Sequence, residues 1–195
     1  TSFIDKIDAV QVEAGSSATS HIVTTGSTVT RNADEVYIEI NQALANNWFD
    51  ALNGTFLVDC ITNKVTTEQV LLNLVNTASP TTDYMRAGIE RNTDTALKVG
   101  YDNNKKFTFF SVCDNPGNAF RFGTTYVDTE QLVSLYGRTQ TNVDTLTTTL
   151  DFSAINRLYI GRYHDGTNLF SGKLQRLGYY DVTCDQPTLN QLTYR

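Results

Sequence analysis

Apolar and polar positions along this chain alternate mainly with period two, the signature of strands with one buried and one solvated face. Val10, Val12 and Ala14 oppose Gln11 and Glu13, which predicts a half-buried strand at the end of the segment Thr1 to Ala14. Val36, Ile38 and Ile40 oppose Glu35, Tyr37 and Glu39, and Phe56, Val58 and Cys60 share one side of a later run. Strands are predicted at Glu35 to Ile40, Gly54 to Thr62, Gln69 to Thr77, Asp83 to Asn92, Ala96 to Tyr101, Lys106 to Val112, Ala119 to Tyr126, Gln131 to Thr139 and Val143 to Leu150. Asn53-Gly54, Ser79-Pro80, Asp102-Asn103-Asn104 and Asn115-Pro116-Gly117-Asn118 supply turn chemistry between them. Short strands at regular spacing, with no sustained helical period, predict an all-β, two-sheet antiparallel jelly-roll sandwich.

The stretch from Arg157 to Thr193 is the most explicit. Leu158 and Ile160 alternate with Tyr159 and Gly161, and His164-Asp165-Gly166-Thr167-Asn168 reads as a tight reversal. A second strand follows from Phe170 to Val182, where a bulge near Gly178 would let Leu174 and Leu177 share a face. Asp185 is placed to cap a short C-terminal helical turn, with Pro187 near its start and Leu189 and Leu192 as its apolar side.

Composition narrows the function classes. At 195 residues the chain suits one sandwich domain able to bury a sizeable core without staples. A net charge of −6 with scattered basic residues lacks the footprint of a nucleic-acid binder. Apolar runs such as Val70-Leu71-Leu72 are far too short to insert in a membrane as helices. Cys60, Cys113 and Cys184 show no CxxC spacing, so they read as free structural thiols rather than a disulfide framework or zinc site.

Two segments carry a family resemblance. Gly15-Ser16-Ser17-Ala18-Thr19-Ser20-His21-Ile22-Val23-Thr24-Thr25-Gly26, continuing through Val29-Thr30-Arg31-Asn32-Ala33-Asp34, resembles an opening motif of phage virion proteins, with His21 and Val23 where an aromatic and a proline are usual. Leu158-Tyr159-Ile160-Gly161, Asn168, Gly172, Leu174, Arg176, Leu177, Tyr179-Tyr180, Leu189, Leu192 and Thr193 look like the closing hairpin and helix of the same modules. These are the concanavalin A-like lectin/glucanase (laminin-G-like) jelly rolls of tail fibres and tailspikes. Thr188 stands where the family often has the glutamate of a capping box. The resemblance implies a domain at 31–195 preceded by a strand and connector at 1–30, the latter either the end of an upstream module or this domain's first strand. It also implies an extracellular place on a virion, contacts with other virion proteins, and a homo-oligomer such as the trimer common among phage fibres.

The resemblance includes glucanases, which place a glutamate nucleophile and a glutamate acid on one strand face with an aspartate between them. Glu35 and Glu39 share a strand face with Tyr37 between them. Positions i and i+4 of a strand lie about 13 Å apart at about 3.3 Å per residue, whereas retaining glycosidases hold their carboxyl groups at about 5 to 5.5 Å. A solvated strand face is the plainer expectation, and no catalytic residue is assigned. No G-x-S-x-G, HExxH or phosphate loop occurs. Asp102-Asn103-Asn104 and Asp114-Asn115 carry calcium-type oxygens without a complete calcium loop, so no metal or other cofactor is assigned.

Binding is the better-supported class. Sugars are recognised by aromatic rings on their apolar faces and planar polar groups on their hydroxyls. The candidates near predicted turns are Trp48, Tyr84, Tyr101, Tyr126 and Tyr163, with Arg86, Arg162 and Asp165 as polar companions. Tyr179-Tyr180 reads as sheet packing and His164-Asp165 as a loop-tip polar pair. The expectation is a non-enzymatic phage virion protein whose lectin-like domain contacts host-surface or environmental glycans. The alternatives are a purely structural decoration or fibre oligomerisation domain and, more remotely, a polysaccharide-degrading glycosidase.

Overall fold

Among the described residues, the alternating pattern resolves into eleven strands and one helix. The computed structural model describes residues 35–41, 48–62, 68–80, 84–91, 95–101, 105–111, 119–127, 130–135, 138–139 and 152–194. The expectations for residues 1–30, the opening motif with His21, Asp102 to Asn104, Asp114-Asn115, Cys113 and the strand Val143 to Leu150 lie outside these residues.

The strands are β1 (Val36–Glu39), β2 (Asn53–Thr62), β3 (Gln69–Val75), β4 (Tyr84–Arg91), β5 (Thr95–Tyr101), β6 (Lys105–Ser111), β7 (Ala119–Val127), β8 (Glu130–Leu135), β9 (Arg138–Thr139), β10 (Arg157–Ile160) and β11 (Gly172–Tyr180), followed by helix α1 (Gln186–Thr193). One sheet runs β1-β10-β3-β4-β5-β6 and the other β11-β2-β7-β8-β9. Every pairing is antiparallel. The fold is the two-sheet antiparallel jelly-roll sandwich that the alternation predicts.

Side-chain parity explains where the core sits. Phe56, Val58 and Cys60 of β2 and Phe122 of β7 meet Leu72 and Leu74 of β3, Met85, Ala87 and Ile89 of β4, and Leu158 of β10. Each fully buried Leu or Phe contributes about 1.5–3 kcal/mol relative to exposure. Cys60 is fully buried, as its apolar side predicts. In β3 the register shifts between Val70 and Leu72, and the extra residue lets Leu71 and Leu72 both join the core. All seven β3 residues are buried, so its apolar run reflects two-sided burial of a central strand.

Three local expectations are corrected. The bulge of β11 lies between Leu174 and Arg176 rather than near Gly178, because Gln175 is the residue without a register partner. It does place Leu174 opposite Cys60 and Leu177 opposite Val58, on one face. The run Gln131 to Thr139 is a hairpin and not one strand: Leu135 pairs with Arg138, so the chain reverses within two residues. In α1 the buried pair is Leu189 and Thr193, while Leu192 is exposed. The sheet meets the i, i+4 face of this helix, and Thr193 satisfies its hydroxyl on Leu189 O at 2.9 Å.

Leu189 seats α1 on the outer face of the five-stranded sheet. A Cβ at Gly123 would stand 2.7 Å from Leu189 Cδ1 and 2.8 Å from Leu57 Cδ2, so glycine provides the hollow that admits the helix. The N-terminus is closed by Asp185, whose carboxylate accepts from Thr188 N at 2.9 Å.

Leu189→Ala leaves this hollow unfilled and should cost about 2–5 kcal/mol in urea denaturation; an unchanged midpoint would show that α1 is not part of the cooperative unit. The Thr188 hydroxyl, then its backbone N–H, hold the Asp185 carboxyl below its ordinary 3.8. A depressed native pKa means that the cap's stabilisation is complete above the unfolded value and is lost as pH falls through the native one. The melting-temperature gap between wild type and Asp185→Ala should therefore be open at pH 6 and close in acid below 3.8. A gap that persists there would remove the charge from the capping argument.

Candidate functional site

The outer face of the six-stranded sheet is built by what the core leaves over. Ile38, Leu158, Leu72, Leu74, Met85 and Ala87 face inward, so Tyr37, Glu39, Arg157, Tyr159, Asn73, Val75 and Arg86 take the opposite side of their strands. Register then aligns them. Tyr37 lies opposite Tyr159, Tyr159 opposite Asn73, and Asn73 opposite Arg86. This row crosses four strands, roughly 14 Å at about 4.8 Å per strand spacing. The neighbouring row runs from Glu39 to Arg157 to Val75.

At the β1 end the row is open. Tyr37 is 42% exposed, with its ring centre 5.8 Å from that of Tyr159. The Arg157 guanidinium lies 4.4 Å from the Tyr37 ring centre, a cation–π distance. Its Nε donates to Glu39 Oε1 at 3.0 Å and its Nη1 to the Tyr159 hydroxyl at 3.1 Å. The Tyr159 bond and then Glu39 raise the Arg157 pKa further above its ordinary value, so the cation is permanent.

Toward β4 the row is covered by the loop after β10. Gly161 N donates to Leu71 O, Phe170 N to Gly161 O and Val70 N to Asn168 O, all within 2.9 Å, which binds both ends of the loop to β3 or to each other. Gly161, Gly166 and Asn168 have φ of 75°, 86° and 52°, the left-handed backbone that the reversal requires. Asp165 Oδ1 accepts from Thr167 Oγ1 at 2.6 Å and Thr167 N at 2.8 Å. The Thr167 hydroxyl thereby holds the Asp165 carboxyl below its ordinary value. His164 N donates to Asn73 Oδ1 at 3.0 Å, laying the loop over a fully buried Asn73. Asn73 Nδ2 and His164 Nδ1 are buried without a hydrogen-bond partner.

Each arginine of this face with a described side chain stands beside a glutamate. Arg86 Nη1 is 3.1 Å from Glu68 Oε1, whose other oxygen accepts from Asn168 Nδ2 at 3.3 Å. Arg162 Nη1 is 3.9 Å from Glu35 Oε2. Arg86 lies 5.8 Å from the Tyr163 ring centre and Arg162 the same distance from that of Tyr159. Arg86 and Arg162 side chains are 14% exposed, against 32% for Arg157. The arrangement offers aromatic surface, cationic donors and anionic acceptors side by side, which suits a hydroxyl-rich ligand. Glu35, just before β1, and Glu39, its last residue, each stand near their own arginine and are not paired as a catalytic dyad. Among the described residues, no cluster of His, Cys, Asp or Glu is placed to hold a metal ion.

Arg86, Arg162, Tyr163 and Asp165 thus come together, Asp165 as the organiser of its turn. Tyr126 is a correction. It is fully buried, its ring 4.7 Å from that of Phe152, and its hydroxyl donates to Asp50 O at 2.7 Å. Its position opposite Gly54 on the core side of β7 leaves no approach for a ligand. Trp48 is also misplaced as a partner of this cluster: it packs edge-on against Tyr179 at 6.0 Å, on the other sheet. Tyr179 OH accepts from Asp50 N at 2.9 Å, and burial raises the phenol pKa above its ordinary 10. Tyr84 and Tyr101 are placed by backbone alone, opposite Val75 and Met85 respectively. Reading the sequence by turns misses Tyr37, Glu39, Asn73, Arg157 and Tyr159. The signal was present in the polar halves of Glu35 to Ile40 and Arg157 to Ile160, two runs whose apolar halves are read as core.

No protein family profile matches the chain, and no curated protein matches it. Solved structures do. The carbohydrate-binding module CBM40 of the Ruminococcus gnavus IT-sialidase aligns over 84% of this chain and 98% of its own, at 13% identity and a TM-score of 0.63. A native heptameric SAP-like pentraxin from Limulus polyphemus aligns over 73% and 70%, at 13% identity and TM-score 0.56. The leech intramolecular trans-sialidase aligns over 84% of this chain and 26% of that much longer one, at 13% identity and TM-score 0.65. The chain therefore has the jelly-roll sandwich fold that these lectin and carbohydrate-binding modules share.

Proposed function

We propose that this chain is a non-enzymatic, lectin-like domain of a phage virion protein, displayed outside the particle, whose outer six-stranded face contacts host-surface or environmental glycans. The observation that carries the reading is the row Tyr37, Tyr159, Asn73 and Arg86, aligned by register and bordered by Arg157, Glu39 and the pinned loop. An exposed tyrosine beside paired planar polar groups is the chemistry that sugar rings and hydroxyls require. The fold supports the class, since the R. gnavus module is solved with α2,3 and with α2,6 sialyllactose. The resemblance of residues 15–34 and 158–193 to tail-fibre modules supports the virion setting, with other virion proteins and copies of this chain as partners.

A second reading, as a decoration or oligomerisation domain, draws on β11. Among the described residues this nine-residue strand pairs on one side only, and Leu174, Tyr180 and the following Val182 are 36%, 40% and 55% exposed. Such an edge accommodates a neighbouring subunit.

On a glycan array, Tyr37→Ala and Arg157→Ala should each weaken binding by roughly tenfold or more. Trp48→Ala should leave binding unchanged while lowering the melting temperature, because its ring packs on Phe49 and Tyr179. Equal loss in all three variants would move the site off this face. Uniform absence of binding by a folded oligomer would favour the scaffold reading, and release of reducing sugar would restore the glycosidase alternative.

A further inference from the structure

We infer that the glycan taken by this face is an uncharged one, and that Glu35, Glu39 and Glu68 act as selectors against sugars bearing a carboxylate or sulfate. The inference rests on the glycan-binding reading and specifies its ligand.

Recognition of an anionic sugar needs a guanidinium whose donors are available to it. On this face the three arginines with described side chains each stand against a glutamate: Arg157 on Glu39 at 3.0 Å, Arg86 on Glu68 at 3.1 Å and Arg162 near Glu35 at 3.9 Å. The three cations are balanced by three anions, Asp165 adds a further negative charge at the rim, and the whole chain carries −6. Among these described side chains no net positive charge remains to draw an anion in. A ligand carboxylate reaching Arg157 would lie close to Glu39, which holds the Arg157 Nε, a like-charge contact that selects against such a partner.

A hydroxyl meets the opposite situation. It is donor and acceptor at once, whereas a guanidinium only donates and a carboxylate only accepts. Adjacent hydroxyls of a neutral pyranose can therefore bond both members of an arginine–glutamate pair without separating them. Arg157 and Glu39 flank the 42% exposed Tyr37, so the polar pair lies next to the ring that would carry the sugar's apolar face.

The test uses the full chain and matched probes: lactose against α2,3-sialyllactose, and neutral galactan oligosaccharides against oligogalacturonate, measured by array and by calorimetry. The neutral member of a pair should bind roughly tenfold or more tightly, with affinity little changed by raising NaCl from about 50 to about 500 mM. Glu39→Gln and Glu68→Gln, which remove the anion beside a guanidinium while keeping a planar side chain, should raise affinity for the acidic member and make it salt-sensitive. Circular dichroism checks that both variants fold, and the wild-type salt series stands without them. Tighter, salt-sensitive binding of the acidic member by the wild type would overturn the inference and leave glycan binding intact. Failure of the folded chain to bind either member of any pair, or any other glycan on the array, would overturn both.

Discussion

Strand β10 is the constraint on which the rest depends. It is four residues long, comes late in the chain, and lies between β1 and β3, closing the six-stranded sheet. Its register is held by Leu158, which must face the core, and the ladder continues beyond it through Ile40 N to Asn156 O, Asn156 N to Val75 O and Gly161 N to Leu71 O. A slip of one residue would exchange Leu158 for Arg157 or Tyr159 in the sandwich interior. Burial of a charged or hydroxyl-bearing side chain there forbids the slip. The same register sets Arg157 on Glu39 and Tyr159 on Tyr37, so the core and the candidate site are specified by one pairing.

The two outer faces of the sandwich are used differently. On the five-stranded sheet, α1 lies over β7 with Leu189 in the hollow at Gly123. There the bidentate Asp59–Arg121 pair, with Nη2 to Oδ2 at 2.8 Å, is capped by the chain end as Arg121 Nη1 donates to Tyr194 O. Its bond to Asp59 raises the Arg121 pKa, and the pair is a structural brace. On the six-stranded sheet, Arg157 and Glu39 have the same chemistry but remain partly exposed beside Tyr37. What covers a pair, more than the pair itself, separates a brace from a pair left open to a ligand.

Fold alone does not assign a ligand, since one sandwich hosts many sites. The likeness to lectin and carbohydrate-binding modules at 12–15% identity reflects the shared demand of two packed sheets for alternating apolar positions. On the proposed glycan-binding reading, ligand choice belongs to the residues left on the outer face. There the pinned loop matters as much as the strands: Asp165, Gly166 and Asn168 shape it, and His164 N ties it down onto Asn73.

The chain's local pattern was enough to determine the sandwich class, the two-faced strands, the buried Cys60, the reversal at His164 to Asn168 and the Asp185 cap. All of these follow from period, turn chemistry and capping, which act over a few residues. Arg86, Arg162, Tyr163 and Asp165 were legible as polar and aromatic residues near turns. Local pattern failed where long-range packing decides. Tyr126 looks like a turn residue but lies under Phe152, and Trp48 is drawn onto Tyr179, well over a hundred residues away in sequence. Leu192 loses its place on the sheet to Thr193, and the bulge settles at Gln175 where the ladder must absorb one extra residue. The site itself depends on which strands become neighbours. Glu39 and Arg157 are 118 positions apart, and nothing in either run names the other as its partner. Strand order and register, set by burial of the apolar halves, bring their polar halves onto one surface.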